Sequence, residues 1–328
     1  MSRIKTPKHL LRLLSDKTLL ETTVRRLEGV IPWSRVFVLT NQEQADAVRA
    51  ELPFLPEENI IAEPAKRDTA PACALATAIS AKHDPDAVCV LLPADSMIHN
   101  IRVFQRQLGE AICLASKSRA LITFAVPPTY PATSFGYLHL GEVADQDAFQ
   151  VIRFVEKPDR PTAETYLQTG RHFWNAGMFV WKASSFLCEA ARLQPLLAEF
   201  IENFPDTDRA SYIAEKFPQL PKISVDYAIM EKAGEVRAIK TAFDWDDVGS
   251  WTAIPEHLGH DEDGNTFRGT VISTHSKHNV AISNKRLIAL CGVENLVIVE
   301  TEDAILVCHR DAAQDIKKLQ ALLPDSAK

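Results

Sequence analysis

Two continuous apolar runs set the narrowest limit on how this chain can fold. AVCVLLPAD (87–95) and ALITFAV (120–126) are short and rich in β-branched residues, and they lack the alternation of a strand with one wet face. Runs of this kind suit strands covered on both faces, in a sheet lying between layers of helices. VFVLT (36–40) and NIIAEP (59–64) are also strand-like, whereas 42–52, 69–82 and 104–116 read as helices. Strands alternating with helices imply right-handed crossovers and a doubly wound α/β sheet. Residues 87–92 are therefore expected to form a strand buried on both faces.

The middle of the chain changes character. FGYLHLGEV, FQVIRFVEKP and AGMFVWKA are strand-like pieces edged by glycine, as in a mixed sheet beside a ligand cleft. Residues 185–230 read as helical, broken by Pro195, Pro205, Pro218 and Pro221. From 269 to 307 come five short β runs (GTVIST, NVAIS, LIALCG, LVIVET, AILVCH), a spacing suited to a small β domain or solenoid. A helix is expected at 311–323. The turn-forming cluster Asp263-Gly264-Asn265 marks a boundary between an α/β domain at 1–263 and a β-rich domain with a terminal helix at 264–328.

Charge narrows the class of partner. Lys and Arg number 36 against 43 Asp and Glu, a net charge of -7, which argues against a nucleic-acid partner. No apolar stretch has the length of a membrane span and the first residues lack a signal peptide's apolar core, so a cytoplasmic protein without a membrane partner is expected. The six cysteines show no C-x-x-C spacing and mostly sit in apolar runs, which reads as buried free thiols.

Acids, lysines and backbone must then carry the chemistry. Asp95 ends LLPAD, where the carboxyl end of a strand in an open sheet faces a cleft. It either caps the next helix or binds a metal serving phosphates, and the residue alone leaves both open. FDWDDVGSW (243–251) packs Asp244, Asp246 and Asp247 between aromatics. Mg²⁺ commonly takes one or two carboxylates, and Asp95 with Asp247 can supply such a pair. In FVEKPD, Glu156 can accept sugar hydroxyls and Lys157 can meet a phosphate, or the two can be a surface ion pair in a turn. Asn175 in WNAGMF serves either a turn or a sugar hydroxyl. EPAKRDTAPA opens a helix with Asp68 or Thr69 as its cap, and a helix N-terminus attracts phosphate.

The order PKHLL, EPAKRDTAPA, LLPAD, FGY, FVEKP, NAGMF, VDYAIMEK and WDDVGSW, followed by the tail GVENLVIVETEDAILV, resembles the bacterial mannose-1-phosphate guanylyltransferases over residues 2–323. No cupin-like isomerase domain follows, so the resemblance is to the short, single-activity form. It implies GTP and mannose 1-phosphate as substrates, Mg²⁺ as cofactor and a homodimer. It also implies roles. Lys8 contacts the nucleotide phosphates, and Glu63, Arg67 and Thr69 lie in the guanine-nucleotide segment. Asp95 and Asp247 hold Mg²⁺. Gly136, Glu156, Asn175 and Asp226 line the sugar pocket, with Lys157 near the sugar phosphate. A non-catalytic sugar-nucleotide-binding homologue, or an enzyme for another sugar 1-phosphate, stays open at this point.

One departure from the family pattern concerns the start. Family members begin with an apolar strand and a GGxGTR loop, and here Met1 precedes Ser2-Arg3 directly. The expectation is a start codon upstream and a chain lacking on the order of 20 residues, one strand plus its loop. Glycines of such a loop let backbone amides cradle a triphosphate. The expectation also leaves apolar surface at 36–39 and 87–92 uncovered, and it makes turnover by the 328 residues alone doubtful.

Overall fold

The computed structural model describes residues 7–12, 14–145, 147–249, 251–301 and 304–322. The first residues of the chain, including Ser2-Arg3, lie outside them. The chain packs as two units, one of Thr23–Ala94 with Ile98–Trp245, the other of the described residues within Met1–Thr22, Asp95–Met97 and Asp246–Lys328. A short helix α1 (Leu19–Arg25) precedes the first strand.

The larger unit runs β1 (Val38–Asn41), α2 (Ala45–Glu51), β2 (Ile60–Glu63), α3 (Thr69–His83), β3 (Val88–Leu91), α4 (Ile101–Lys117), β4 (Leu121–Val126), β5 (Gly136–Asp145), β6 (Ala148–Glu156), α5 (Arg160–Thr169), β7 (His172–Lys182), α6 (Ala183–Leu193), α7 (Pro195–Glu202), α8 (Arg209–Lys216) and β8 (Val236–Lys240). Six strands form one mixed sheet in the order β3-β7-β4-β8-β6-β5, and β1 and β2 form a separate parallel pair. Only β4 and β8 run parallel within the six; β7 is long enough to reach β3, β4 and β5, antiparallel to each. The α/β mixed-sheet class is as the patterning implied.

All six residues of β4 are buried, as its unbroken apolar run requires. β3 is not the strand buried on both faces that its unbroken apolar run implied; its burial is that of the uncovered surface also expected at 87–92. Its one described neighbour is β7, so it is an edge strand, and of Val88–Leu91 only Cys89 is fully buried. A strand partnered on one side leaves its other edge open, whatever its hydrophobicity.

Local chemistry explains the helices that matter later. Asp68 caps α3 by accepting the Thr69 N–H at 2.8 Å, with Pro71 in the first turn where its missing N–H costs nothing. Ala70, Ala74 and Ala78 are fully buried along it, small enough to let the helix sit close to its neighbours. Asn100 caps α4 through Val103 N–H. Phe104, Phe124, Trp181 and Phe186 are wholly buried, each worth roughly 1.5–3 kcal/mol relative to exposure.

In the smaller unit, α9 (Ile254–Leu258) leads into β9 (Thr266–Arg268), β10 (Val271–Thr274), β11 (Val280–Ile282), β12 (Ile288–Cys291), β13 (Leu296–Glu300), β14 (Ile305–His309) and α10 (Ile316–Ala321). β9, β11 and β13 stack in parallel, as do β10 and β12, which makes a β-helical coil; β14 turns back antiparallel on β13. Buried Asn279 stitches successive turns, donating to Asn265 Oδ1 and Val293 O and accepting from Leu296 N–H. The five short β runs thus form the solenoid alternative.

No described cysteine is in a disulfide. Cys73 and Cys89 are buried, but Cys113, Cys188 and Cys291 are exposed, contrary to the reading from their apolar surroundings. An apolar run does not say which face of a helix or strand a given residue takes. No described helix is long and apolar enough to cross a membrane.

Candidate active site

Two constellations collect the residues singled out in the sequence, one in each unit. In the smaller unit, Met97 and Asp246 form a two-way backbone bridge, Met97 N–H to Asp246 O at 2.7 Å and the reverse at 3.1 Å. This clasp joins the end of LLPAD to WDDVG across about half the chain. Lys8, in a 3₁₀ turn (Lys8–Leu10), then bridges both: its ammonium is 3.1 Å from Asp95 Oδ2 and donates to the main-chain oxygen of Asp247.

The three neighbouring acids divide their work. Asp244, in the larger unit, accepts the N–H groups of His99 and Asn100, both at 2.8 Å, and so shapes the entry to α4. Asp246 accepts from Val248 N–H at 2.6 Å and lies 3.0 Å from His257 Nε2. Burial opposes its ionisation, yet these hydrogen bonds outweigh burial and keep its pKa below the usual carboxylate range. Asp247 accepts from Gly249 N–H at 3.0 Å. Burial raises its pKa, Asp246 and Asp95 push the same way, and the Gly249 N–H and Lys8 pull against them. Asp95 and Asp247 thus feel each other's charge beside a cation. Burial and Lys8 lower the pKa of neighbouring His9, with Asp95 opposing.

The second constellation lies in the larger unit, around a bulge. Thr123 of β4 pairs with Phe179 and Ala125 with Asn175, so three residues of β7 loop out opposite one. Gly177 takes a φ of +67° within that loop, which glycine does without strain. A bulge re-aims a side chain, here that of Asn175. Its Oδ1 lies 2.9 Å from the Thr123 hydroxyl and 3.2 Å from Gly177 N–H, which directs its Nδ2 onto Asp226 Oδ1 at 3.0 Å. Asp226 opens a π-helical turn, Asp226–Met230, a widened turn frequent at functional sites. Burial pushes its pKa up to about 6, helped by the Glu156 charge and opposed by Lys157 and Asn175.

Glu156 and Lys157 stand beside it, 2.7 Å apart, as β6 ends. The Glu156 hydrogen bond raises the Lys157 pKa. Gly136 sits opposite Glu156 in the sheet, and a Cβ there would lie 2.5 Å from Glu156 Oε2. Next to this group Phe135 packs edge-on against Trp174 and Trp245.

Glu63 ends β2, Arg67 lies in the connection and Thr69 opens α3. The Thr69 hydroxyl accepts Val225 N–H at 2.8 Å, tying the start of α3 to the residue before Asp226. The Arg67 guanidinium donates to the carbonyl of Pro218. Burial alone pushes Glu63 up to about 7. The buried Cys73 thiol is raised well above its usual range by burial, with Asp226, Cys89 and Glu63 adding.

Thus Lys8, Asp95 and Asp247 come together in one unit. Gly136, Glu156, Lys157, Asn175 and Asp226 come together in the other, where the Thr69 hydroxyl holds Val225 beside Asp226 and Arg67 holds Pro218. Sequence reasoning missed Thr123 and His257. The hydroxyl inside ALITFAV was a visible signal for the first, whereas His257 had none. Among the described residues no three His, Cys, Asp or Glu side chains converge as a metal cage; an ion such as Mg²⁺ needs fewer, taking waters and phosphate oxygens for the rest.

Comparison with known proteins gives two family matches. Residues 3–264 match the nucleotidyl transferase family, and 269–322 match the mannoseP isomerase/GMP-like beta-helix domain. Mannose-1-phosphate guanylyltransferase of Klebsiella pneumoniae is 38% identical over 338 residues, covering 100% of this chain and 71% of that protein. Its namesake in Escherichia coli K12 is 37% identical, covering 97% and 69%. The crystal structure of mannose-1-phosphate geranyltransferase from Thermus thermophilus superposes with a TM-score of 0.89 at 30% identity, covering 98% of this chain and 93% of that one.

Proposed function

Since the chain belongs to the mannose-1-phosphate guanylyltransferase family of nucleotidyltransferases, we propose that it converts GTP and mannose 1-phosphate to GDP-mannose and pyrophosphate. A phosphate oxygen of mannose 1-phosphate attacks the α-phosphorus of GTP in line, and the bond to the pyrophosphate leaving group breaks. Such transfers depend on positioning and on neutralising charge, with no covalent enzyme intermediate required.

The observation that carries this reading is the convergence of Lys8, Asp95 and Asp247. The Asp95 carboxylate and the Asp247 main-chain oxygen meet one ammonium, and the Asp247 carboxylate lies within its field, so the oxygen donors nearby suit a hard divalent cation. Asp95 and Asp247 would hold Mg²⁺, which when bound neutralises phosphate charge. Lys8 neutralises the nucleotide phosphates, and Lys157 orients the sugar phosphate. Glu156 and Asp226 accept from sugar hydroxyls, Asn175 fixes Asp226, and Gly136 leaves the room they need. Glu63, Arg67 and Thr69 form the nucleotide end. The reaction is read as cytoplasmic, with its two substrates as partners, no nucleic acid or membrane, and a homodimer as the assembly.

The test is pyrophosphate release with GTP, ATP, UTP and dTTP against mannose and glucose 1-phosphates. It is run on the 328-residue chain and on one extended upstream in frame. GTP with mannose 1-phosphate is expected to be preferred, and D95N and D247N to abolish turnover while keeping the wild-type melting curve. No turnover with any pair by either chain would overturn the enzyme reading; preference for UTP or glucose would overturn the substrate assignment alone.

A further inference from the structure

We propose that His257 is a positioning residue that holds the Asp246–Gly249 loop so that Asp247 is presented to the metal; the inference rests on the reading of Asp95 and Asp247 above. His257 lies on α9 with its side chain 6% exposed, and its Nε2 is 3.0 Å from Asp246 Oδ2. An ionised carboxylate can only accept, so Nε2 carries the proton. The other oxygen, Oδ1, accepts the Val248 N–H, and the Asp246 backbone is clasped to Met97 on both sides. Asp246 is therefore fixed at both carboxylate oxygens and at both main-chain groups.

What it restrains is unfavourable by itself. Val248 has a φ of +47°, a left-handed conformation that a β-branched side chain strongly disfavours. Strain of this kind persists only where surrounding contacts over-determine it, and it concentrates at functional sites. Its consequence here is local. The chain turns within two residues, so consecutive carboxylates serve different partners. Asp246 faces His257, while Asp247 folds onto Gly249 N–H within the field of Lys8 and Asp95. His257 reaches the site indirectly: it holds Asp246, and Asp246 sets the turn that presents the adjacent Asp247.

The experiment measures Mn²⁺ binding to the full chain by loss of the free-ion EPR signal. It also measures the Mg²⁺ dependence of turnover, the KM for mannose 1-phosphate and the melting curve. H257F is expected to weaken Mn²⁺ binding and raise the half-activating Mg²⁺ concentration by roughly tenfold to a hundredfold, with KM for mannose 1-phosphate within about twofold. H257Q keeps an N–H near the Nε2 position and is expected within about threefold of wild type. D246N should match H257F, and the double variant should be no worse than either, because the two act as one unit.

Wild-type Mn²⁺ affinity in H257F, or equal losses in H257F and H257Q, would overturn the inference, the second because it points to packing. If H257F fails to fold, D246N carries the test, and wild-type affinity there overturns it. D247N separates the two levels. Unchanged Mn²⁺ binding in D247N removes the metal reading itself, whereas loss in D247N with H257F silent removes only the role of His257.

Discussion

Asn175 donates its side-chain N–H to the Asp226 carboxylate at 3.0 Å, joining a bulge in β7 to a π-helical turn 51 residues further on. Neither side chain could be aimed by its own element. The bulge turns Asn175, the Thr123 hydroxyl and Gly177 N–H take its oxygen, and the amide nitrogen is left for Asp226. The orientation of the proposed sugar end therefore depends on a hydroxyl beneath it.

Thr123 is wholly buried, so Thr123→Val tests that dependence with little change in shape. Losing one donor to Asn175 Oδ1 should cost stability on the order of 1 kcal/mol. KM for mannose 1-phosphate should rise roughly tenfold as the amide becomes free to turn, while KM for GTP stays near wild type. Steady-state kinetics beside a denaturant melt would check this. An unchanged sugar-phosphate KM would show that Asn175 holds its orientation without Thr123.

Gly136→Ala probes the same group from the opposite strand. The new Cβ would meet Glu156 Oε2 at 2.5 Å and the Phe154 ring at 3.2 Å, so the carboxylate must swing away. Overpacking of this kind costs about 1–3 kcal/mol. The expected kinetic signature is a higher KM for mannose 1-phosphate with GTP binding spared. Wild-type kinetics in a destabilised variant would separate Glu156 from sugar recognition.

Glu63 supplies a prediction in pH. Burial raises its pKa from 4.5 to about 7, so the folded chain holds a proton that the unfolded chain releases within that window. Folding stability from this group is present below 4.5 and is lost as pH rises to 7. Glu63→Gln does not titrate. The variant should match wild type near pH 4.5, gain on it steadily to pH 7, and keep a constant advantage above. Urea melts of both proteins across roughly pH 5–8 test this, since other titrating groups cancel in the difference. Parallel curves would show that Glu63 is not desolvated in the fold.

Much of this architecture was legible in short range. ALITFAV became a wholly buried strand because every residue suits one, and of the two caps the sequence offered, Asp68 and Thr69, it is Asp68 that caps α3. What escaped depends on pairings between distant segments. Asp244, Asp246 and Asp247 look alike in sequence, but Asp244 binds backbone amides 145 and 144 residues away, and it takes the Met97 bridge and Lys8 together to link Asp247 to Asp95. The β3 run was apolar enough for a central strand yet has one described neighbour and buries only Cys89 fully, since an apolar run does not say which segments lie beside it. His257 carried no local signal at all, its meaning arising from a carboxylate eleven residues earlier across a turn.

Gly249 gives the sharpest test of the Asp247 carboxylate. It adopts no left-handed backbone, so its value lies in space: a Cβ there would stand 2.6 Å from Asp247 Oδ2 and 3.0 Å from Oδ1. The Gly249 N–H is also the donor to Oδ1. In Gly249→Ala the methyl group should push the carboxylate off this amide and away from the Lys8–Asp95 side. The carboxylate can move into solvent more cheaply than the backbone can shift, so melting should change little. Turnover, in contrast, should fall by roughly tenfold or more, the scale of a mispositioned reacting or metal-holding group. Excess Mg²⁺ should recover part of the loss, because a displaced ligand weakens the site without removing a charge. Full activity, or a loss that Mg²⁺ leaves untouched, would show that the position of Asp247 against Gly249 is not what turnover depends on.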